Sequence, residues 1–231
     1  MRPLFFAFVL GWIVSCCPHA EIRPSSTLVA RMTDETVALV WNDDGTTKVF
    51  CSGVWIGEDK ILTAAHCING LAEQQETSPD DLAVHFVMHA ESPDPYKEPF
   101  AAHLGKAIQR DDDHDLALIT VPGPKLDHPV AMLASETPGL GEPLWFVGHP
   151  RGLSFTVLRG SVAGYRSELP VDPKVGPWLQ VQAPVFYGNS GGGCFDDAGQ
   201  LVGIASMLVP VPSEALYVAR QTIAKFLAHT D

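Results

Sequence analysis

Tyr187-Gly188-Asn189-Ser190-Gly191-Gly192-Gly193 sets one serine among glycines on both sides. Glycine accepts positive φ and lets a substrate approach the backbone closely, so the run reads as a tight turn exposing a hydroxyl nucleophile. Glycine-rich loops also serve as plain connections between strands. The two readings part on whether the chain supplies a base for this serine and a group to orient that base.

Upstream, Ile61-Leu62-Thr63 leads into Ala64-Ala65-His66-Cys67. His66 follows a β run, and the two alanines before it leave room around the imidazole. Between His66 and Ser190, the acidic run Asp111-Asp112-Asp113-His114-Asp115 opens onto Leu116-Ala117-Leu118-Ile119-Thr120-Val121. Asp115 stands at the entrance to this apolar strand, where an unpaired carboxylate is costly to bury. An imidazole N–H is a suitable partner. Asp111, Asp112 and Asp113 read as surface residues.

The segment Cys51-Ser52-Gly53-Val54-Trp55-Ile56-Gly57 through Leu62-Thr63-Ala64-Ala65-His66-Cys67 resembles the histidine box of trypsin-like serine peptidases. Asp115-Leu116-Ala117-Leu118-Ile119 resembles the aspartate motif of the same family. Gly148-His149-Pro150-Arg151-Gly152, followed by Val157-Leu158-Arg159-Gly160-Ser161-Val162, resembles the G-x-P-x-G and V-x-x-G-x-V pattern of high-temperature-requirement (HtrA-type) and related bacterial enzymes. The resemblance runs from about residue 35 to 228. It implies an all-β fold of two packed six-stranded antiparallel β-barrels, chymotrypsin-like, with a C-terminal helix.

The resemblance also implies roles. His66 is the general base, Asp115 orients it, and Ser190 is the nucleophile, in the chain order of chymotrypsin-type enzymes. The backbone N–H groups of Gly188 and Ser190 form the oxyanion hole. Cys51–Cys67 is the histidine-loop disulfide, closing about 15 residues for about 3 kcal/mol in the chain-entropy model. Gln200 to Ser206 corresponds to the strand that pairs with extended substrate. The implied activity is that of a serine endopeptidase on protein or peptide substrates, with no cofactor and no metal. His149 falls on a loop position and is given no catalytic role.

Two departures from digestive relatives bear on function. Asn189 stands where zymogen-activated enzymes carry an aspartate that pairs with a freed N-terminus. No Ile-Val-Gly-Gly-like start is present, so activation by N-terminal cleavage is not expected. The pocket-base position, six residues before Ser190, is Pro184. No carboxylate awaits a Lys or Arg side chain, and Leu208 narrows the pocket, which favours small or medium apolar P1 residues. The alternative is a catalytically silent protein of the same fold that presents its groove to a partner at the cell envelope. An esterase of unrelated fold fits poorly, because Gly188-Asn189-Ser190-Gly191-Gly192 matches the strand-to-helix elbow only in part and the triad order differs.

Composition bounds the rest. At 231 residues, 46% hydrophobic and 18% charged, the chain can bury a full core. Its 19 prolines and 20 glycines suit many short strands. A net charge of −12 argues against nucleic-acid binding, which needs clustered cations. Arg2 followed by the apolar run Leu4 to Val14 reads as an export leader over 1–20, with a polar linker over 21–34 and the peptidase domain over 35–231. Ile13-Val14-Ser15-Cys16 is similar to a bacterial lipobox, which leaves two readings open. Either Cys16 carries a lipid anchor, the only membrane link expected, or the chain is freely secreted or periplasmic. Cys17 belongs to the leader, and Cys194 reads as a small buried hydrophobe.

Along the domain, strands are expected over 37–41, 48–57 and 83–88, a turn at 42–45, and surface loops over 71–81 and 91–99. His85 and His89 share one face of their strand, but no third ligand with suitable spacing accompanies them. Residues 122–143 read as the connection between the two β halves. Residues 213–229 read as a closing amphipathic helix. No PDZ-type segment follows it in the sequence, so a peptidase domain alone is expected.

Overall fold

Val37 to Val40 are buried without a break, the pattern of a strand covered on both faces. They lie in β1 (Thr36–Asp43), which pairs antiparallel with β2 (Thr46–Trp55). With β3 (Lys60–Thr63), β4 (Ala83–Met88), β5 (Ala102–Asp111) and β6 (Leu116–Thr120), these strands close a barrel in the order β1-β2-β3-β6-β5-β4. A second barrel, in the order β10-β11-β12-β9-β8-β7, is built from β7 (Pro143–Gly148), β8 (Thr156–Arg166), β9 (Trp178–Gln182), β10 (Gly193–Phe195), β11 (Leu201–Leu208) and β12 (Glu214–Ala219). The computed structural model describes residues 26–43, 46–91, 102–153, 155–168, 176–209 and 211–230. The expected pair of six-stranded antiparallel barrels is present.

Bulges help bend the strands into closure. Register shifts fall at Leu39/Val40 and Ala107/Gln109 in the first barrel. In the second they fall at Val162/Gly164, Cys194/Phe195 and Ala205/Met207. Each barrel holds its own core: Trp55, Ile61, Phe86 and Ile119 in the first, Leu144, Val181, Val202 and Tyr217 in the second. A further cluster joins them, with Val54, Leu62 and Leu118 of the first barrel against Val147, Trp178 and Phe195 of the second. Fully burying one such aliphatic or Phe side chain is worth about 1.5–3 kcal/mol. The two halves are therefore welded along one seam, and the cleft lies where that seam meets the surface.

Three local expectations are corrected. The stretch read as a linker holds a helix, α1 (Ser26–Asp34). Its Met32 is buried in the inter-barrel cluster, and Thr36 Oγ1 donates to Met32 O at 2.9 Å across its C-terminal end. The loop expected from residue 71 begins later, because α2 (Ala65–Gln74) buries Ile68, Leu71 and Ala72 against the first barrel. The closing helix is also shorter than expected. Ala215 to Ala219 are all buried and form β12, and only α3 (Arg220–Leu227) is helical, seating Ile223 and Phe226 on the inter-barrel core. A continuous apolar run of this length fits a buried strand as well as a helix, and barrel closure decides it.

The leader with Cys16 and Cys17, residues 21–25, the 44–45 turn and most of the 91–99 loop lie outside the described residues. Among the described residues no helix is long and apolar enough to cross a membrane.

Candidate active site

His66 is the second residue of α2, whose N-cap position, Ala64, offers no side-chain cap. Asp115 supplies one from the entrance of β6, the strand that pairs with β3: its Oδ1 accepts the His66 backbone N–H at 2.9 Å. The same carboxylate faces the imidazole, with Nδ1 at 3.0 Å from Oδ1 and 2.8 Å from Oδ2. An ionised carboxylate can only accept, so Nδ1 carries a proton toward Asp115. Ser206 Oγ completes the cage by donating to Asp115 Oδ2 at 2.5 Å. Asp115 has a left-handed backbone (φ 54°), a conformation aspartate tolerates better than most residues and one that recurs at functional sites.

Ser190 lies on the loop between β9 and β10. Gly188 and Gly191 flank it with φ of 96° and 80°. Glycine is required at both for space as well as dihedral. A Cβ at Gly188 would sit 2.2 Å from His149 O, and one at Gly191 would sit 2.1 Å from Thr63 Oγ1. Among the described residues, neither the Gly188 nor the Ser190 backbone N–H has an acceptor, so two donors stand beside the serine. Ser190, His66 and Asp115 line one cleft of about 600 Å³, with Ser206, Met207, Leu208 and Tyr217 on its second-barrel wall. No hydrogen bond joins Ser190 Oγ to the His66 imidazole among the described residues. The two share the cleft.

A model of the trypsin-like peptidase domain matches residues 51–204. The chain belongs to the trypsin-like peptidase family. A "Serine protease HtrA-like" of Staphylococcus epidermidis is 30% identical over 159 residues, covering 64% of this chain and 24% of that protein. A "Probable periplasmic serine endoprotease DegP-like" of Pseudomonas savastanoi pv. phaseolicola is 36% identical over 104 residues, covering 45% of this chain and 21% of that protein. The chain thus spans about a quarter of the length of these relatives. Among solved structures, the active form of the Rv3671c protease from M. tuberculosis aligns with a TM-score of 0.68 at 20% identity, covering 87% of this chain and 82% of that one. The serine endoprotease from Yersinia pestis aligns with a TM-score of 0.65 at 21% identity, covering 87% and 64%. These structural likenesses concern the fold.

Within this trypsin-like domain, Cys51 and Cys67 form a disulfide, and Cys194 is free and buried, its thiol pushed well above its ordinary pKa by burial. Pro184 is exposed, and next to it Val185, Phe186 and Tyr187 line the cleft. Leu208 does line the cleft. In the acidic run Asp112 and Asp113 are exposed and Asp111 is half-buried. Asp111 accepts from the His114 backbone N–H and bonds its imidazole, at 3.0 and 2.8 Å. Asp112 accepts from Asn69 at 2.8 Å and from Arg110 at 3.0 Å, at the edge of the cleft. His89 bonds Asp34 through Nδ1 at 2.8 Å, while His85 is exposed.

The sequence reading missed Ser52 and His149. Ser52 is fully buried, its Oγ donating to Gly188 O at 2.9 Å and lying 2.9 Å from His149 Nδ1. Nothing in a Cys-Ser-Gly strand segment signals that its serine reaches the far barrel. His149 carried a signal only in retrospect: a histidine inside a Gly-x-Pro turn needs a buried partner or solvent.

Proposed function

We propose that this chain is a serine endopeptidase that cleaves peptide bonds through an acyl-enzyme. The observation that carries the reading is the Asp115 carboxylate clasping His66 at both its backbone N–H and Nδ1, within the cleft that Ser190 lines. Substrate binding brings the scissile carbonyl against Ser190 Oγ, and His66 Nε2 takes the hydroxyl proton as the C–O bond forms. Asp115 stabilises the imidazolium, which then protonates the leaving amine. The Gly188 and Ser190 N–H groups receive the developing oxyanion, each donor worth about 3–4 kcal/mol in such sites. Water, activated by His66, then releases the acyl group from Ser190.

Activation by a freed N-terminus is not part of this reading. Asn189 is buried and neutral, so no carboxylate waits there for an ammonium group. The leader and the DegP-like and HtrA-like relatives support export, with the choice between a Cys16 anchor and free secretion left to mass spectrometry of the mature N-terminus. The substrate class is protein or peptide.

A fluorophosphonate probe tests the reading. Stoichiometric labelling of the wild type, lost in Ser190→Ala, is the expected result. A correctly folded wild type that never labels would establish the silent, groove-presenting protein instead.

A further inference from the structure

Behind the nucleophile loop lies a buried polar cluster that the chemistry above does not use. His149 is 0% exposed. Its Nδ1 is 2.9 Å from Ser52 Oγ, and the same hydroxyl donates to Gly188 O at 2.9 Å. A serine has one hydroxyl hydrogen. With that hydrogen on Gly188 O, Ser52 Oγ must accept from the imidazole, so His149 carries its proton on Nδ1. His149 Nε2 is then a bare lone pair, buried without a partner among the described residues, and the Phe155 ring stands edge-on to the imidazole at 4.5 Å between centroids. The other tautomer would bury an N–H donor with no acceptor and strip Gly188 O of its hydroxyl, the costlier arrangement. Burial, with a smaller push from His89, lowers the His149 pKa to about 3, so the ring stays neutral near pH 7.

Gly188 is held from its other side as well. The preceding carbonyl, Tyr187 O, accepts the Arg151 backbone N–H at 2.6 Å. Arg151 reaches it from a left-handed conformation, φ 53°, uncommon for a side chain of its size. In a trans peptide the N–H points opposite the C=O. Tying Tyr187 O to the turn at 150–152 therefore turns the Gly188 N–H away from that turn.

We propose that Ser52, His149 and the Arg151 amide form a positioning latch that sets the peptide planes on both sides of Gly188, and so aims its N–H at the oxyanion, before substrate arrives. The inference rests on the reading of Ser190 as nucleophile and Gly188 as oxyanion donor. Ser52 and His149 act through Gly188 and touch no reacting atom.

The test compares three variants on one chromogenic peptide, with two inhibitors. His149→Phe keeps a ring against Phe155 but removes the Nδ1 donor. His149→Asn keeps an N–H donor near the Nδ1 position. Ser52→Ala removes a single oxygen. A peptide aldehyde, whose adduct with Ser190 places an oxygen in the hole, is compared with a product peptide that does not. The expected result is a loss of about 100-fold in kcat for His149→Phe and Ser52→Ala, the scale of a lost oxyanion donor, with KM within about 2-fold. Aldehyde affinity should fall in parallel while product affinity holds, and His149→Asn should recover most of the loss. Full activity in both His149→Phe and Ser52→Ala overturns the latch, as does an equal loss of aldehyde and product binding. If His149→Phe does not fold, Ser52→Ala decides alone. A wild type that neither labels nor cleaves overturns the catalytic reading instead, so the two failures are told apart.

Discussion

The backbone N–H of Ser52 donates to the carbonyl oxygen of Ser190 at 2.8 Å, tying β2 of the first barrel to the nucleophile loop of the second. The Ser52 carbonyl in turn accepts from Thr63 Oγ1 at 2.7 Å, and Thr63 ends the strand that delivers His66. The segments carrying the proposed base and nucleophile are thus fastened to one buried residue. Their relative placement does not depend on a direct bond between them, which leaves Ser190 Oγ and His66 Nε2 free to meet around a substrate carbonyl.

Asp115 has two duties, as partner of Nδ1 and as surrogate cap of α2. Asp115→Asn should lower kcat by roughly 10³–10⁴-fold through the wrong imidazole tautomer. Asp115→Ala, which unlike Asp115→Asn keeps no oxygen for the His66 N–H, should also cost on the order of 1 kcal/mol in stability, the scale of a lost N-cap acceptor. Steady-state kinetics and denaturant unfolding on the same preparation separate the two effects. Asp115→Ala losing activity with no change in stability would leave the capping role without support.

The Cys51–Cys67 bridge joins the residue before Ser52 to the residue after His66, with a sequence separation of 16. Replacing both cysteines by serine should destabilise the fold by about 3 kcal/mol. For a chain of this size that corresponds to a fall in Tm of roughly 6–12 °C. Calorimetry of the oxidised wild type against the double variant measures it.

His149 predicts a stability profile on the acid side. Its pKa is lowered by burial from 6.5 to about 3 in the folded protein, so between those values the unfolded chain binds a proton that the folded one refuses. Stability should therefore be intact above about pH 6.5 and fall as pH drops toward 3, by up to about 5 kcal/mol from this group. Glu35, whose buried carboxyl is raised by desolvation against the pull of Arg31, contributes in the opposite sense: its effect favours folding at low pH and is lost as pH rises through its folded pKa. The difference between wild type and His149→Phe isolates the histidine. Parallel unfolding curves for the two across pH 4–7 would remove His149 from the account.

Leu208 stands on the cleft wall, 38% exposed, paired in register with Ala215. With Ala205, Ala215 and Tyr217 beside it, the wall is mostly apolar. A peptide library should show cleavage after small or medium apolar residues, and Leu208→Gly should shift preference toward larger ones by about 10-fold, the worth of one or two methylenes in such a pocket. Cleavage after Lys or Arg would refute this account of the pocket.

How much of this was legible in the residues depends on whether the deciding interaction is local. The strands follow from apolar patterning, the cysteine pair and the three motifs from their neighbours in sequence, and Asp115 from the cost of an unpaired carboxylate entering an apolar strand. These are short-range matters, and the sequence by itself determined them along with the family. The tertiary structure decided the rest. Residues 215–219 became a strand because closing the second barrel needed one, and residues 26–34 became a helix because Met32 had an inter-barrel core to enter. Ser52 and His149, 97 positions apart, meet only because the seam between the barrels brings β2 beneath the nucleophile loop, and no periodicity or motif encodes a contact between buried polar groups on two closed sheets.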